Sequence, residues 1–372
     1  MPQRREDKGA RSNGEAVGGR FKRGELPDQP AHGDLPPLRR PLARDDEQKF
    51  RDLLRDSAAA GGLDEYLVER DYWMCQVATE LIMNSEKYPG SYTSMGGGSL
   101  LSLVGITERL SEDVDINVTF VDGADACKSS WGKRLMEECQ DNVEQNLGIE
   151  GKRDPNGGGN FFRTVRYQYP SVLPPSQEGR PVVKSDKGLR DAPREHLIEM
   201  DGMPYMGRVA NSQSQPLGLP VLSDLLPRPI LGTHPQQVLA DKLDAVCWRE
   251  GLVPAQGDKA LAQMVARIRD HYDIYCLIKW LRANNMLDPD SLAATVERTK
   301  QQERKLRDRL RITRPERDRP PEGYDTLRSW APGTPEHSTL AAQYLSLRPV
   351  VYGHLPAWDD VCEMVHSAQG II

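Results

Sequence analysis

Asp113 and Asp115 stand two positions apart in the stretch Asp113-Val114-Asp115-Ile116-Asn117-Val118-Thr119-Phe120. Polar and apolar residues alternate there, which reads as a β-strand, and residues i and i+2 of a strand project to the same side about 6–7 Å apart. Two carboxylates at that spacing suit a hard cation such as Mg2+ (or Mn2+). Divalent ions held this way clamp the attacking and leaving oxygens of a phosphoryl displacement. Upstream lies Gly97-Gly98-Ser99, a turn whose backbone N–H groups can approach a triphosphate, with a helix beginning there that adds its positive end. Arg109 can add a charge-assisted contact to the same anion. Each piece alone is ordinary, since Gly-rich turns and acidic strand faces are common. In this order they make the arrangement a nucleotidyl-transfer site needs.

Further candidates lie in the second half of the chain. Lys242 and Arg249 are seven residues apart, so on a helix they share a face, about 10 Å from one another along the axis. Two such cations can grip phosphates, or form a solvated edge with Lys242 paired to a carboxylate. Asp270 and Asp273 share a helical face at i and i+3. Asp270 can accept a proton, or orient an attacking hydroxyl or Lys242; its ordinary alternative is a pair with Arg267 or Arg269.

These residues need elements to position them. Residues 1–45, rich in Arg, Gly, Pro and Asp without apolar periodicity, read as a disordered arm. Helical spacing starts near Gln48 and recurs through Leu67, Trp73, Val77 and Leu81. The alternating strand at 113–120 reads as half-buried. A helix at 129–147, a strand at Phe161–Tyr169, a Pro-rich loop and a third strand at His196–Met200 follow. Thr233-His234-Pro235-Gln236 has the form of a capping box with Pro in the first turn. Helices are expected at about 234–250, 258–283, 290–311, 337–347 and 357–367. The chain thus reads as α+β: a mixed α/β domain over 46–232 and an all-helical domain over 233–372.

The segment Gly97–Asp115 resembles the first motif of the AbiEii/AbiGii nucleotidyltransferase toxins, a branch of the DNA polymerase β-like superfamily. That pattern is GG(T/S), about ten residues, then Arg-aromatic-Ser-Glu-Asp-(Ile/Leu)-Asp; here it runs through Arg109-Leu110-Ser111-Glu112-Asp113-Val114-Asp115, with Leu110 in place of the aromatic residue. Leu239–Arg249 resembles the family's Lys-x-x-Ala-x-x-x-Arg helix, and Arg269-Asp270-His271-Tyr272-Asp273 its Arg-Asp-x-x-Asp helix. The resemblance implies a polymerase-β-like domain with a mixed sheet, followed by an α-helical domain. It implies an enzyme that transfers NMP from an NTP to an acceptor hydroxyl, with Asp113, Asp115, Lys242 and Asp270 catalytic. Nucleotide contacts are implied at Gly97, Gly98, Ser99, Arg109, Ser111, Lys242 and Arg249. A third metal-binding carboxylate is implied on a neighbouring strand; Glu199 is the candidate and Asp201 the fallback. The resemblance further implies a type IV toxin–antitoxin or abortive-infection toxin, with a separately encoded antitoxin and, for some relatives, the tRNA 3′ end as acceptor.

Composition sets bounds on this reading. The 372 residues carry 49 basic and 55 acidic side chains, a net charge of −6, against a coating of nucleic acid over the whole surface. A local footprint for RNA is offered by Lys300–Arg319, with nine Lys/Arg against four Asp/Glu; Arg304, Arg307 and Arg311 belong to it. Apolar runs are far shorter than the roughly 18 residues of a membrane span, and the charged N-terminus has no secretory h-region. The six cysteines (75, 127, 139, 247, 276 and 362) show no zinc-ligand spacing and read as free thiols of a cytoplasmic protein. Two other readings keep the motifs: a nucleotidyltransferase acting on a small molecule (an antibiotic) or a protein hydroxyl, and a catalytically silent nucleotide- or RNA-binding module.

Overall fold

A computed structural model describes residues 43, 46–83, 91–120, 130–155, 162–174, 181–189, 196–217, 225–310 and 323–372. The elements follow in chain order: α1 (Glu47–Gly61), α2 (Glu65–Met83), β1 (Ser91–Met95), α3 (Gly97–Leu103), β2 (Asp113–Phe120), α4 (Ser130–Leu147), β3 (Glu150–Arg153), β4 (Phe162–Gln168), β5 (Val182–Leu189), β6 (Leu197–Gly202), α5 (Tyr205–Leu217), β7 (Arg228–Thr233), α6 (Pro235–Glu250), α7 (Asp258–Val265), α8 (Arg269–Ala283), α9 (Pro289–Leu310), α10 (Pro335–Gln343) and α11 (Trp358–His366). The arm at 1–45 lies, except for Ala43, outside the described residues.

The chain divides into two compact units. The first takes the chain up to Leu54, Glu69–Met95 and Glu112–Gly232; the second takes Arg55–Val68, Gly96–Ser111 and Thr233–Ile372. The expected single boundary near residue 232 is therefore joined by four further crossings. Residues 96–111 belong with the helical unit because its backbone holds them: Leu110 N–H donates to Val350 O at 2.8 Å and Tyr352 N–H to Glu108 O at 2.9 Å.

The first unit is built on a seven-stranded sheet in the order β3-β4-β5-β2-β1-β7-β6. The sheet is mixed: β2 runs antiparallel to β1 and parallel to β5, while β4 is antiparallel to both β3 and β5. One face is apolar where Val114, Ile116, Val118 and Val165 are buried. Two helices cover that face. From α2, the carbonyl of Leu81 accepts from Thr93 Oγ1 at 3.1 Å, and Trp73 stacks on Tyr169 with ring centroids 5.6 Å apart. From α4, Gln140 Nε2 donates to Gly151 O at 3.1 Å, and Met136, Cys139 and Val143 are buried. The opposite face carries the alternate positions of β2, Asp113, Asp115 and Asn117. Its exposure falls along β2: Asp113 and Asp115 are partly exposed, whereas Asn117 and Thr119 are buried. Alternation told which residues share a side, not how deep that side lies.

The second unit is helical. Instead of one helix over 258–283 the chain forms α7 and α8, separated at Ala266–Ile268 by tight i→i+3 bonds such as Arg267 N–H to Met264 O and Asp270 N–H to Arg267 O. The break lets a new helix start at Arg269, which places Asp270 in a first turn, where the helix dipole favours an anion. At α6 the expected Thr233 cap is replaced. Thr233 ends β7, and the His234 ring accepts from Gln236 N–H at 3.2 Å, with Pro235 in the first turn. The basic run enters α9, but Arg311 and everything to Arg319 lie outside the described residues, as does the side chain of Arg307.

Candidate active site

In the first unit, β2 and β5 pair in parallel so that Asp113 faces Lys184 and Asp115 faces Asp186. Directly opposed like charges destabilise a sheet unless a cation intervenes. One carboxylate oxygen from each of Asp113, Asp115 and Asp186 lies within 4.8 Å of the others, and all three residues are partly buried. Asp186 Oδ1 accepts from the Thr164 hydroxyl at 2.6 Å, which holds its orientation from β4. The Lys184 ammonium donates to Asp186 Oδ2 and lies 3.9 Å from Asp113 Oδ2. A protein cation thus already sits against this carboxylate set. Hard oxygen donors converging from adjacent strands fit a divalent ion of the Mg2+ or Mn2+ kind.

Glu199 does not join this set. It lies exposed on β6, at the sheet edge three strands from β2, and Asp201 shares its strand and its exposure. The third carboxylate comes instead from β5, a strand the sequence reading left inside a Pro-rich loop. The available signal was Val182-Val183-Lys184-Ser185-Asp186-Lys187. Its alternation is hidden because Lys187, which points to the apolar face, is a buried lysine. Burial pushes the Lys187 amine down to about 8, and the ammonium donates only weakly to Tyr167 Oη at 3.4 Å.

In the second unit the remaining motif residues assemble into one buried chain of charges. Arg109 Nε and Nη2 each donate to Asp273, at 2.7 Å, in a bidentate pair, and Nη1 donates to Leu110 O at 3.0 Å. Lys242 Nζ lies 2.7 Å from Asp273 Oδ2 and 2.5 Å from Asp270 Oδ1, and Arg249 Nη1 lies 2.7 Å from Asp270 Oδ2. Burial works to raise both carboxyls, but the neighbouring cations outweigh it. Lys242 and Arg249 hold Asp270, and Arg109 and Lys242 hold Asp273, well below the usual carboxylate range. Burial alone would depress Lys242, yet Asp270 and Asp273 raise it. Three cations against two anions leave the chain one positive charge in excess.

This network underlies the Gly-Gly-Ser turn. Gly97 has φ +58°, a left-handed conformation that favours glycine. A Cβ on Gly98 would lie 2.4 Å from Arg109 Nη2. Arg109 is fully buried and locked by Asp273, so only glycine fits above it. The Ser99 hydroxyl donates to Gly96 O at 3.1 Å and is buried at the start of α3, and Ser111 is buried at the end of the same segment. The eleven-residue spacing of Gly98 and Arg109 is what brings the guanidinium back beneath the turn. Asp273 is the member of this network that the motif contained without a role.

Three carboxylates converging on one face of a mixed sheet suit a divalent ion and the phosphoryl chemistry such an ion supports. A family model described as the nucleotidyl transferase AbiEii toxin of type IV toxin–antitoxin systems matches residues 89–363, well over half of the chain. The chain belongs to this family. Among solved structures it is similar to the nucleotidyltransferase toxin MenT4 of Mycobacterium tuberculosis H37Rv, with 14% identity over 85% of this chain and 97% of that one, at a TM-score of 0.36. No curated protein matches it. Among the described residues no helix is long and apolar enough to cross a membrane. Cys75, Cys139, Cys247 and Cys362 are buried free thiols and Cys276 is half-buried; Cys127 lies outside the described residues.

Proposed function

We propose that the protein is a Mg2+-dependent cytoplasmic toxin that transfers NMP from an NTP to an RNA hydroxyl, the tRNA 3′ end being the acceptor to test first. The observation that carries this reading is the convergence within 4.8 Å of Asp186 on β5 with Asp113 and Asp115, which lie in the segment that resembles the family's first motif. Asp113, Asp115 and Asp186 hold the divalent ion, which supplies charge stabilisation to the reacting phosphoryl oxygens when bound. Thr164 keeps Asp186 turned toward it. Gly97, Gly98 and Ser99 present backbone N–H groups to the phosphates. Arg109, Lys242, Arg249, Asp270 and Asp273 keep that turn rigid and slightly positive, so that it needs no reorganisation when an anion arrives. In this reading Lys242 and Asp270 are positioning residues rather than a free cation and a general base. Ser111 belongs to the same supporting segment. The basic run from Lys300 to Arg319 supports RNA as acceptor, and the type IV family supports an antitoxin encoded separately.

The test is incubation of the full chain with Mg2+, each labelled NTP in turn, and total tRNA. Label on tRNA is the expected result. Label on a small molecule or a protein would move the acceptor to the other classes considered above. Retained NTP binding with no transfer to any of them would leave a silent binding module. Reversing the charges of Arg304, Arg307 and Arg311 is expected to weaken RNA binding and flatten its salt dependence; an unchanged salt slope would make the basic run a solvated face.

A further inference from the structure

We propose that Lys184 is a tethered counter-ion that competes with the divalent metal for Asp113 and Asp186. This rests on the metal reading of the carboxylate set. Lys184 and Asp186 are at i and i+2 on β5, and Lys184 is register partner of Asp113, so its side chain belongs to the carboxylate face. Its ammonium donates to Asp186 and reaches to 3.9 Å from Asp113. It therefore touches two of the three proposed ligands, through Oδ2 of each. The neighbouring basic residue on that face, Arg166, registers opposite Lys184 but pairs with Asp154 at 3.6 Å. Arg166 is thus turned to β3's end of the sheet, and Lys184 supplies the cation on the carboxylate side.

An ammonium and a divalent ion cannot share the same oxygens at close range, because like charges a few ångströms apart repel strongly. Metal entry therefore displaces Lys184. In the metal-free protein Lys184 keeps the opposed Asp115–Asp186 register tolerable; with metal present its ammonium is released to the partly exposed surface around it. The consequence is a site with weak affinity for the bare ion, one that fills when further negative charge, such as a triphosphate, arrives with the metal.

The experiment is a Mn2+ titration of the full chain, followed by the EPR signal of free Mn2+. It compares wild type with Lys184→Met, Lys184→Gln and Lys184→Arg, with Asp115→Asn as control for the site. Removing the ammonium in Lys184→Met or Lys184→Gln is expected to tighten Mn2+ binding by about tenfold, whereas Lys184→Arg keeps the charge and stays within about twofold of wild type. Two neutral variants are used so that one failing to fold leaves the other as the test. Saturable binding that depends on Asp115 but is unchanged or weakened in the neutral variants overturns the competition and leaves the metal site standing. Absence of any Asp115-dependent binding in wild type and in the neutral variants overturns the metal reading and the competition with it.

Discussion

The two charged clusters of this protein are built on opposite plans. On the β2–β5 face three carboxylates of one sign converge while partly exposed, and a single lysine bridges two of them. In the helical unit, Arg109, Asp273, Lys242, Asp270 and Arg249 alternate in sign along a chain of contacts no longer than 2.7 Å, mostly buried. The second cluster pairs each of its anions with two cations; the first gathers three carboxylates of one sign. Buried charges persist where they are paired, and carboxylates of one sign converging from adjacent strands suit a divalent ion. In the proposed reading, the difference separates chemistry from support within one set of family motifs.

Substitutions should keep the two clusters apart. The largest effect is expected for Asp115→Asn, which should lower NMP transfer by about 10³-fold while leaving thermal stability equal or raised, since one of two opposed like charges is removed. Transfer assays paired with thermal unfolding check this; an active variant would strip the carboxylate face of its role. Asp273→Asn should do the reverse and destabilise first. It leaves Arg109 charged and buried without its bidentate partner, a loss of about 3–5 kcal/mol, readable in urea unfolding. A stable Asp273→Asn protein with lowered transfer would mean the helical cluster acts in the chemistry itself.

Smaller effects sharpen the same contrast. Gly98→Ala should cost about 1–3 kcal/mol through the collision with Arg109, and a normal unfolding midpoint there would show that the guanidinium can move. The buried network also has a titrating neighbour. His271 packs edge-on to Trp330 and Trp358, with centroids at 4.5 and 5.4 Å, and burial pushes its imidazole down from 6.5 to about 3. The unfolded chain protonates this histidine below pH 6.5 while the folded one stays neutral, so stability is lost as pH falls from 6.5 toward 3, at about 1.4 kcal/mol per unit. Asp71, in the sheet unit, has the opposite sign. Burial raises its carboxyl from 3.8 to about 6, so it adds stability as pH falls from 6 toward 4. Comparing His271→Phe and Asp71→Asn with wild type in urea at pH 7 and pH 5 should resolve the two slopes; parallel curves for all three proteins would contradict both.

Legibility in the sequence followed distance along the chain. Asp113 and Asp115 could be placed on one face because strand alternation is a two-residue rule. Lys242 with Arg249, and Asp270 with Asp273, could be placed on common helix faces by the 3.6-residue rule. Asp186 could not be found this way, since only the pairing of β2 with β5 sets it beside Asp115, and a buried Lys187 masks the strand that carries it. Glu199 fell on a true strand and still missed, because strand identity says nothing of order in the sheet. The Arg109–Asp273 pair spans 164 residues, and no local pattern reports a partner at that separation.

By itself, then, the amino-acid order determined the periodic elements, the glycine turn and the family motifs, all of which arise from contacts within a few residues. Which carboxylates meet, and which cations are consumed in buried pairs, was decided only by the folded chain. Strand register and helix packing are set by the summed burial of many distant side chains, and that sum has no local signature.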